Sequence, residues 1–141
     1  MSSARELSRY GVVKVTTSTP GQLLVMLYDG LLRFLREAEV AMAAKERARA
    51  GERIGRSLAI IEQLLFGLNR EALPTLCDKL EPLYRFCIIQ LTSANLHEDP
   101  AKIGDVVRIL APLRDAWSTA VAQLAREASE AAQVSVPGAA P

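Results

Sequence analysis

The residues of this chain that could do chemistry are few and far apart. Its single histidine, His97, has Glu98 and Asp99 after it and Ala94 three positions before it, so the Glu-x-x-His pairs with which helical bundles hold two metal ions are missing. Two cysteines, Cys77 and Cys87, and one histidine cannot complete a four-ligand zinc site within one chain. The cysteines fall in one helical stretch, roughly 15 Å apart along its axis, too far for a bridge inside it. Both read as small helix residues, Cys87 in a core stripe and Cys77 at its edge. No glycine loop has phosphate- or dinucleotide-binding spacing, and no histidine lies near a serine or cysteine to activate a nucleophile. Neither catalysis nor a metal nor a cofactor is expected.

Charge narrows the partners. Lys plus Arg number 17 against 16 for Asp plus Glu, a balance too even to gather nucleic acid or anionic lipid. The basic run Lys45, Arg47, Arg49, Arg53 and Arg56, broken by Glu46 and Glu52, reads as a solvated face. No signal peptide and no apolar run of membrane-spanning length is evident, and with the two unbridged cysteines this points to the cytoplasm without membrane insertion.

Half of the 141 residues are apolar and the dominant types favour helices, so one all-helical domain with a sizeable core is expected. Thr19-Pro20-Gly21-Gln22 is a helix start, with Thr19 as cap, Pro20 in the first turn and Gln22 closing a capping box. From there Leu24, Leu27, Tyr28, Leu31, Phe34, Leu35, Ala38 and Met42 form one stripe to about residue 44. A second stripe, Ala50, Ile54, Leu58, Ile61, Leu65 and Leu68, ends near Asn69. Pro74 opens a third helix with Leu76, Leu80, Leu83, Cys87, Leu91 and Ala94 as its core face. Pro82 inside that helix predicts a kink at about residues 78–82. Asp99-Pro100 starts a fourth helix with Ile103, Val106, Val107, Leu110, Leu113, Trp117, Val121 and Leu124 in its stripe, bent mildly at Pro112. Four such helices with short turns predict an antiparallel up-down-up-down bundle over residues 19–128. Residues 1–18 read as an N-terminal arm, and 129–141 as a disordered tail.

The apolar residues exceed what four core stripes need. Ile60, Leu64 and Phe66 on the second helix, and Phe86, Ile88 and Ile89 on the third, point to the sides of the stripes. Clustered on adjacent helices they suggest a groove for the apolar face of a partner helix. Leu7, Tyr10 and Val13 of the arm could yield roughly 1.5–3 kcal/mol each on burial, against roughly 1–2 kcal/mol per ordered residue, so the arm is poised to cover such a surface and to leave it. The alternative is a homodimer in which the surplus residues meet their own copies across a two-fold axis. Asp29-Gly30 within the first helix suggests close helix approach at Gly30.

Met26-Leu27-Tyr28-Asp29-Gly30 followed by Arg33-Phe34-Leu35 resembles the first-helix signature of the flagellin export chaperone family, FliS. Leu58 to Leu64 resembles that family's second helix, Leu83-Tyr84 with Leu91, Ala94 and Asn95 its third, and Leu110 to Trp117 its fourth, covering about residues 10–125. The resemblance implies a cytoplasmic chaperone without a cofactor, and a monomer or weak dimer is expected. It would bind the C-terminal helical segment of flagellin, prevent premature polymerisation and deliver it to the flagellar type III export gate. It also implies that Tyr10 helps the arm cover one groove until flagellin displaces it. Leu7, Tyr10, Val13, Ile60, Leu64, Phe66, Phe86 and Ile89 are the expected partner-binding residues. Pro82 and the Ala- and Pro-rich tail depart from the family's pattern.

Overall fold

The computed structural model describes residues 18–135, which form four helices: α1, Pro20–Ala43; α2, Arg47–Phe66; α3, Pro74–His97; and α4, Pro100–Ser135. The start of α1 is the expected capping box. The Gln22 N–H donates to Thr19 Oγ1 at 3.2 Å, and the Thr19 N–H donates to Gln22 Oε1 at 3.0 Å. At the head of α4 the Asp99 carboxylate accepts the Ala101 N–H at 3.0 Å.

α1 and α3 stop in the same way, through a left-handed residue that is not glycine. Lys45 has φ 63° and the next residue, Glu46, donates its N–H to Ala41 at 2.9 Å; Glu98 has φ 52° and Asp99 donates back to Ala94 at 3.0 Å. These bonds satisfy carbonyls that a helix end leaves open.

Leu27–Leu113 form one compact unit containing parts of all four helices. Contacts fix its topology. Arg53 of α2 pairs with Glu37 of α1, and Ile60 lies against Gly30, so residue numbers rise on one helix as they fall on the other. The α2–α3 and α3–α4 pairs are likewise antiparallel, joined by Gly51 facing Asn95 and Arg70 pairing with Glu81, then by Gln90 reaching Asp105 and Lys102 reaching Ser93. This is the expected up-down-up-down bundle.

Its core contains Tyr28, Leu31, Leu35 and Ala38 from α1, Ile54 and Ile61 from α2, Leu80, Cys87 and Leu91 from α3, and Ile103, Val106 and Leu110 from α4. Two stripes keep most of the residues read in the sequence but are centred slightly to one side. In α2 the buried row is Ala50, Ile54, Ser57, Ile61 and Leu64, with Leu58 and Leu65 half-buried beside it. In α3 it is Cys77, Leu80, Tyr84, Cys87, Leu91 and Ala94, with Leu76 and Leu83 at its edge. Each helix carries two overlapping rows, and hydrophobicity alone favours leucine over the serine and tyrosine that face inward. Ser57 is accommodated because its hydroxyl donates to the Arg53 carbonyl one turn back, at 3.0 Å. α3 runs unbroken through Pro82.

The second unit joins the first turns of α1 to the C-terminal part of α4. Gly21 lies so close to Val121 that a Cβ there would meet Val121 Cγ2 at 2.9 Å. α4 continues beyond the expected limit of residue 128 to Ser135, although residues 122–134 are exposed all round. Ala, Glu and Gln sustain a helix by local propensity after its apolar stripe has ended. Leu7, Tyr10 and Val13 of the arm lie outside the described residues, as does the tail from residue 136.

Candidate functional site

The partner-binding residues expected on α2 and α3 do not form one patch. Leu64 is buried in the core row of α2, and it is not part of an open surface. Leu64 follows Ser57 by seven residues and Ile61 by three, so it continues the buried row that Ile54 and Ile61 belong to. Ile60 is half-buried on the α1 side of α2, with its Cδ1 at 3.9 Å from where a Gly30 Cβ would stand. Phe86, 45% exposed, lies on the side of α3 that carries Gln90 and Ser93, the two side chains that reach α4. Phe66 and Ile89 are 83% and 66% exposed.

Both belong to the outer surface of α2 and α3, which on α2 also carries small residues that the sequence reading did not single out. Gly51, Gly55 and Ala59 recur every four residues on one edge of α2. Gly51 fixes the direction of that edge, because a Cβ there would stand 3.6 Å from Asn95 Oδ1 of α3. One turn on, a Cβ built at Gly55 meets nothing within 4 Å. Phe66 continues the same edge. Across from it α3 presents half-buried Ile88, exposed Thr92 and Ile89, and Leu96, 77% exposed. The exposed apolar residues lie among polar ones, with Glu62 on the same edge of α2 and Thr92 and Asn95 on the facing side of α3, and the surface at Gly55 is open.

Charged side chains frame the bundle without forming a reactive centre. On the α1–α2 seam the guanidinium groups of Arg33 and Arg56 lie over the ring of Phe34, 5.2 and 5.6 Å from its centroid. Arg56 also hydrogen-bonds Glu52, the largest reason that carboxyl lies below its usual range. Arg47 pairs with Glu98, and Arg53 with Glu37 and Glu52. Of the basic run, Arg47, Arg53 and Arg56 are engaged in ion pairs, and the Arg53–Glu37 pair is half-buried. His97 Nδ1 lies within hydrogen-bonding distance of Ser93, of its carbonyl at 3.1 Å and its hydroxyl at 3.3 Å. Among the described residues no three His, Cys, Asp or Glu side chains gather as metal ligands, and no helix is long and apolar enough to cross a membrane.

Fold and surface together define a helical-bundle protein with apolar residues left open on two neighbouring helices. A family model described as flagellar protein FliS matches residues 3–124, nearly the whole chain, and the chain belongs to that family. It is 34% identical over 107 residues to the flagellar secretion chaperone FliS of Bacillus subtilis (strain 168), covering 76% of this chain and 79% of that protein. With the protein of the same name from Vibrio cholerae it shares 31% identity over 104 residues, 74% of this chain and 76% of the other. A crystal structure of a bacterial flagellar chaperone has the same fold, with a TM-score of 0.70 over 86% of this chain and 98% of that one at 22% identity.

Proposed function

We propose that this protein is a cytoplasmic secretion chaperone that holds the C-terminal helical segment of flagellin along the outer α2–α3 groove. It prevents premature polymerisation there and hands the segment to the flagellar type III export apparatus. The observation that carries this reading is the exposure of Phe66, Ile89 and Leu96 on two neighbouring helices, in a chain of the FliS family. A partner helix laid in the groove removes those side chains from water, at about 25 cal/mol per Å² of apolar surface covered. The arm, through Leu7, Tyr10 and Val13, covers the groove until flagellin displaces it, which lowers apparent affinity only by the fraction of time the groove is closed. The names of the relatives support a chaperone, and the groove supports a helical client.

Titration calorimetry against purified flagellin tests this. One-to-one binding with a strongly negative heat-capacity change is expected, because the client folds as it buries apolar surface. Absence of heat and of co-elution at micromolar concentration would reject flagellin as the client.

A further inference from the structure

Two side chains that neither the groove nor the charged clusters use stand in the middle of the core. Tyr28 of α1 and Tyr84 of α3 are wholly buried, and their hydroxyls are hydrogen-bonded to one another between helices that are not consecutive. The rest of the α3 row is Cys77, Leu80, Cys87, Leu91 and Ala94, and the buried residues of α1 beyond Tyr28 begin with Leu31, Leu32 and Leu35. Rows with three- and four-residue spacing repeat every seven residues, so apolar packing discriminates weakly against sliding one helix past the other by a heptad, about 10 Å.

The connections permit such a slide. The break between α3 and α4 is short and keeps them together, whereas residues 67–73 between α2 and α3 could span roughly 20 Å when extended. Pro82, two residues before Tyr84, supplies no backbone N–H, so α3 is held least by its own ladder at this point.

The phenols remove the degeneracy. After a one-heptad slide in either direction Tyr28 would face Cys77 or Leu91, and the Tyr84 hydroxyl would lose its Tyr28 partner while staying buried, which is strongly disfavoured. We infer that the Tyr28–Tyr84 hydrogen bond is a registry pin that selects one axial position of the α3–α4 hairpin against the α1–α2 hairpin. The same pin decides which α3 residues stand opposite Gly55 and Ala59, and so keeps the groove in a single alignment.

The test uses the full chain with nitroxide labels on Glu62→Cys and Leu96→Cys, two exposed sites well separated along the bundle; the native thiols of Cys77 and Cys87 are buried. Pulsed electron–electron resonance should give one narrow distance in the parent. Tyr28→Phe with Tyr84→Phe should add a second component displaced by roughly 5–10 Å. Each single Phe variant should lower the unfolding midpoint, and the double should recover part of that loss. One narrow distance in the double variant, or single effects that merely add, overturns the pin. If the double cannot be purified folded, Tyr84→Phe alone decides: a second distance supports the pin and a single unchanged one refutes it.

Discussion

Gly55 offers a substitution whose effects on folding and on binding should have opposite signs. Glycine in a helix interior costs about 0.8–1.0 kcal/mol relative to alanine, and nothing lies within 4 Å of the missing Cβ to oppose the new methyl group. Gly55→Ala should therefore stabilise the protein by about 1 kcal/mol, a midpoint rise of about 3–5 °C for a domain of this size. Gly21→Ala is the internal contrast, since its Cβ would meet Val121 Cγ2 at 2.9 Å and Val121 would have to move. Leucine has nearly the helix propensity of alanine, so Gly55→Leu should fold as well as Gly55→Ala. Its side chain, however, fills the gap that the docked flagellin helix is proposed to use. A loss of at least tenfold in affinity is expected, about 1.4 kcal/mol. Thermal melts followed by circular dichroism read the first effect, and calorimetry against flagellin reads the second. A stabilised Gly55→Leu protein with unchanged affinity would place the client elsewhere, and a Gly55→Ala protein no more stable than the parent would show that the position is not open.

Removal of residues 1–14, or Tyr10→Ala, should leave the circular dichroism spectrum unchanged and alter flagellin affinity; unchanged affinity, with groove amides equally protected from exchange, would remove the covering role of the arm. Lys45→Gly should raise stability by about 0.5–1 kcal/mol by relieving a left-handed backbone at φ 63°, while Glu98→Gly should gain less because it also loses the ion pair to Arg47; denaturant midpoints check both. Burial pushes the Cys87 thiol from 9.0 up to about 11, and burial followed by the hydrogen bond from Tyr28 raises Tyr84 above 10.0. The neutral forms are favoured in the folded state, so this stability is complete below pH 9, falls between pH 9 and 11 for Cys87, and falls from pH 10 upward for Tyr84. Urea midpoints that stay flat from pH 8 to 11 would contradict it. Light scattering should show a monomer, and a stable dimer that protects Phe66 and Ile89 from exchange would favour self-association over client binding.

Helix positions and topology were legible because proline, capping residues and three- and four-residue apolar spacing act locally. The capping box at Thr19 and Gln22 needed no tertiary information. What faced inward was harder to read wherever two rows overlapped. Tyr84 and Ser57 occupy the core because a partner hydroxyl and a backbone carbonyl satisfy them, and neither partner is visible from hydropathy. Leu64 is packed inside for the same reason, because the buried row of α2 is centred slightly to the side of the one read from hydropathy. Phe66 and Ile89 stand out in the sequence by their excess hydrophobicity and are exposed in the structure, whereas the open surface at Gly55 carries no hydropathy signal. The family resemblance was carried by several segments at once, which made it readable even where individual side-chain directions were not.

α4 begins in the core at Ile103, Val106 and Leu110 and ends with every residue from 122 to 134 open to water. One continuous helix therefore has two clocks. Amide protons near its start can exchange with deuterium only when the whole domain opens, while those near its end depend on fraying that a few local hydrogen bonds resist. A protease would sense the same gradient: cleavage after Arg126 should shorten the chain long before cleavage after Arg108 could begin, leaving a trimmed protein whose interior has not been disturbed.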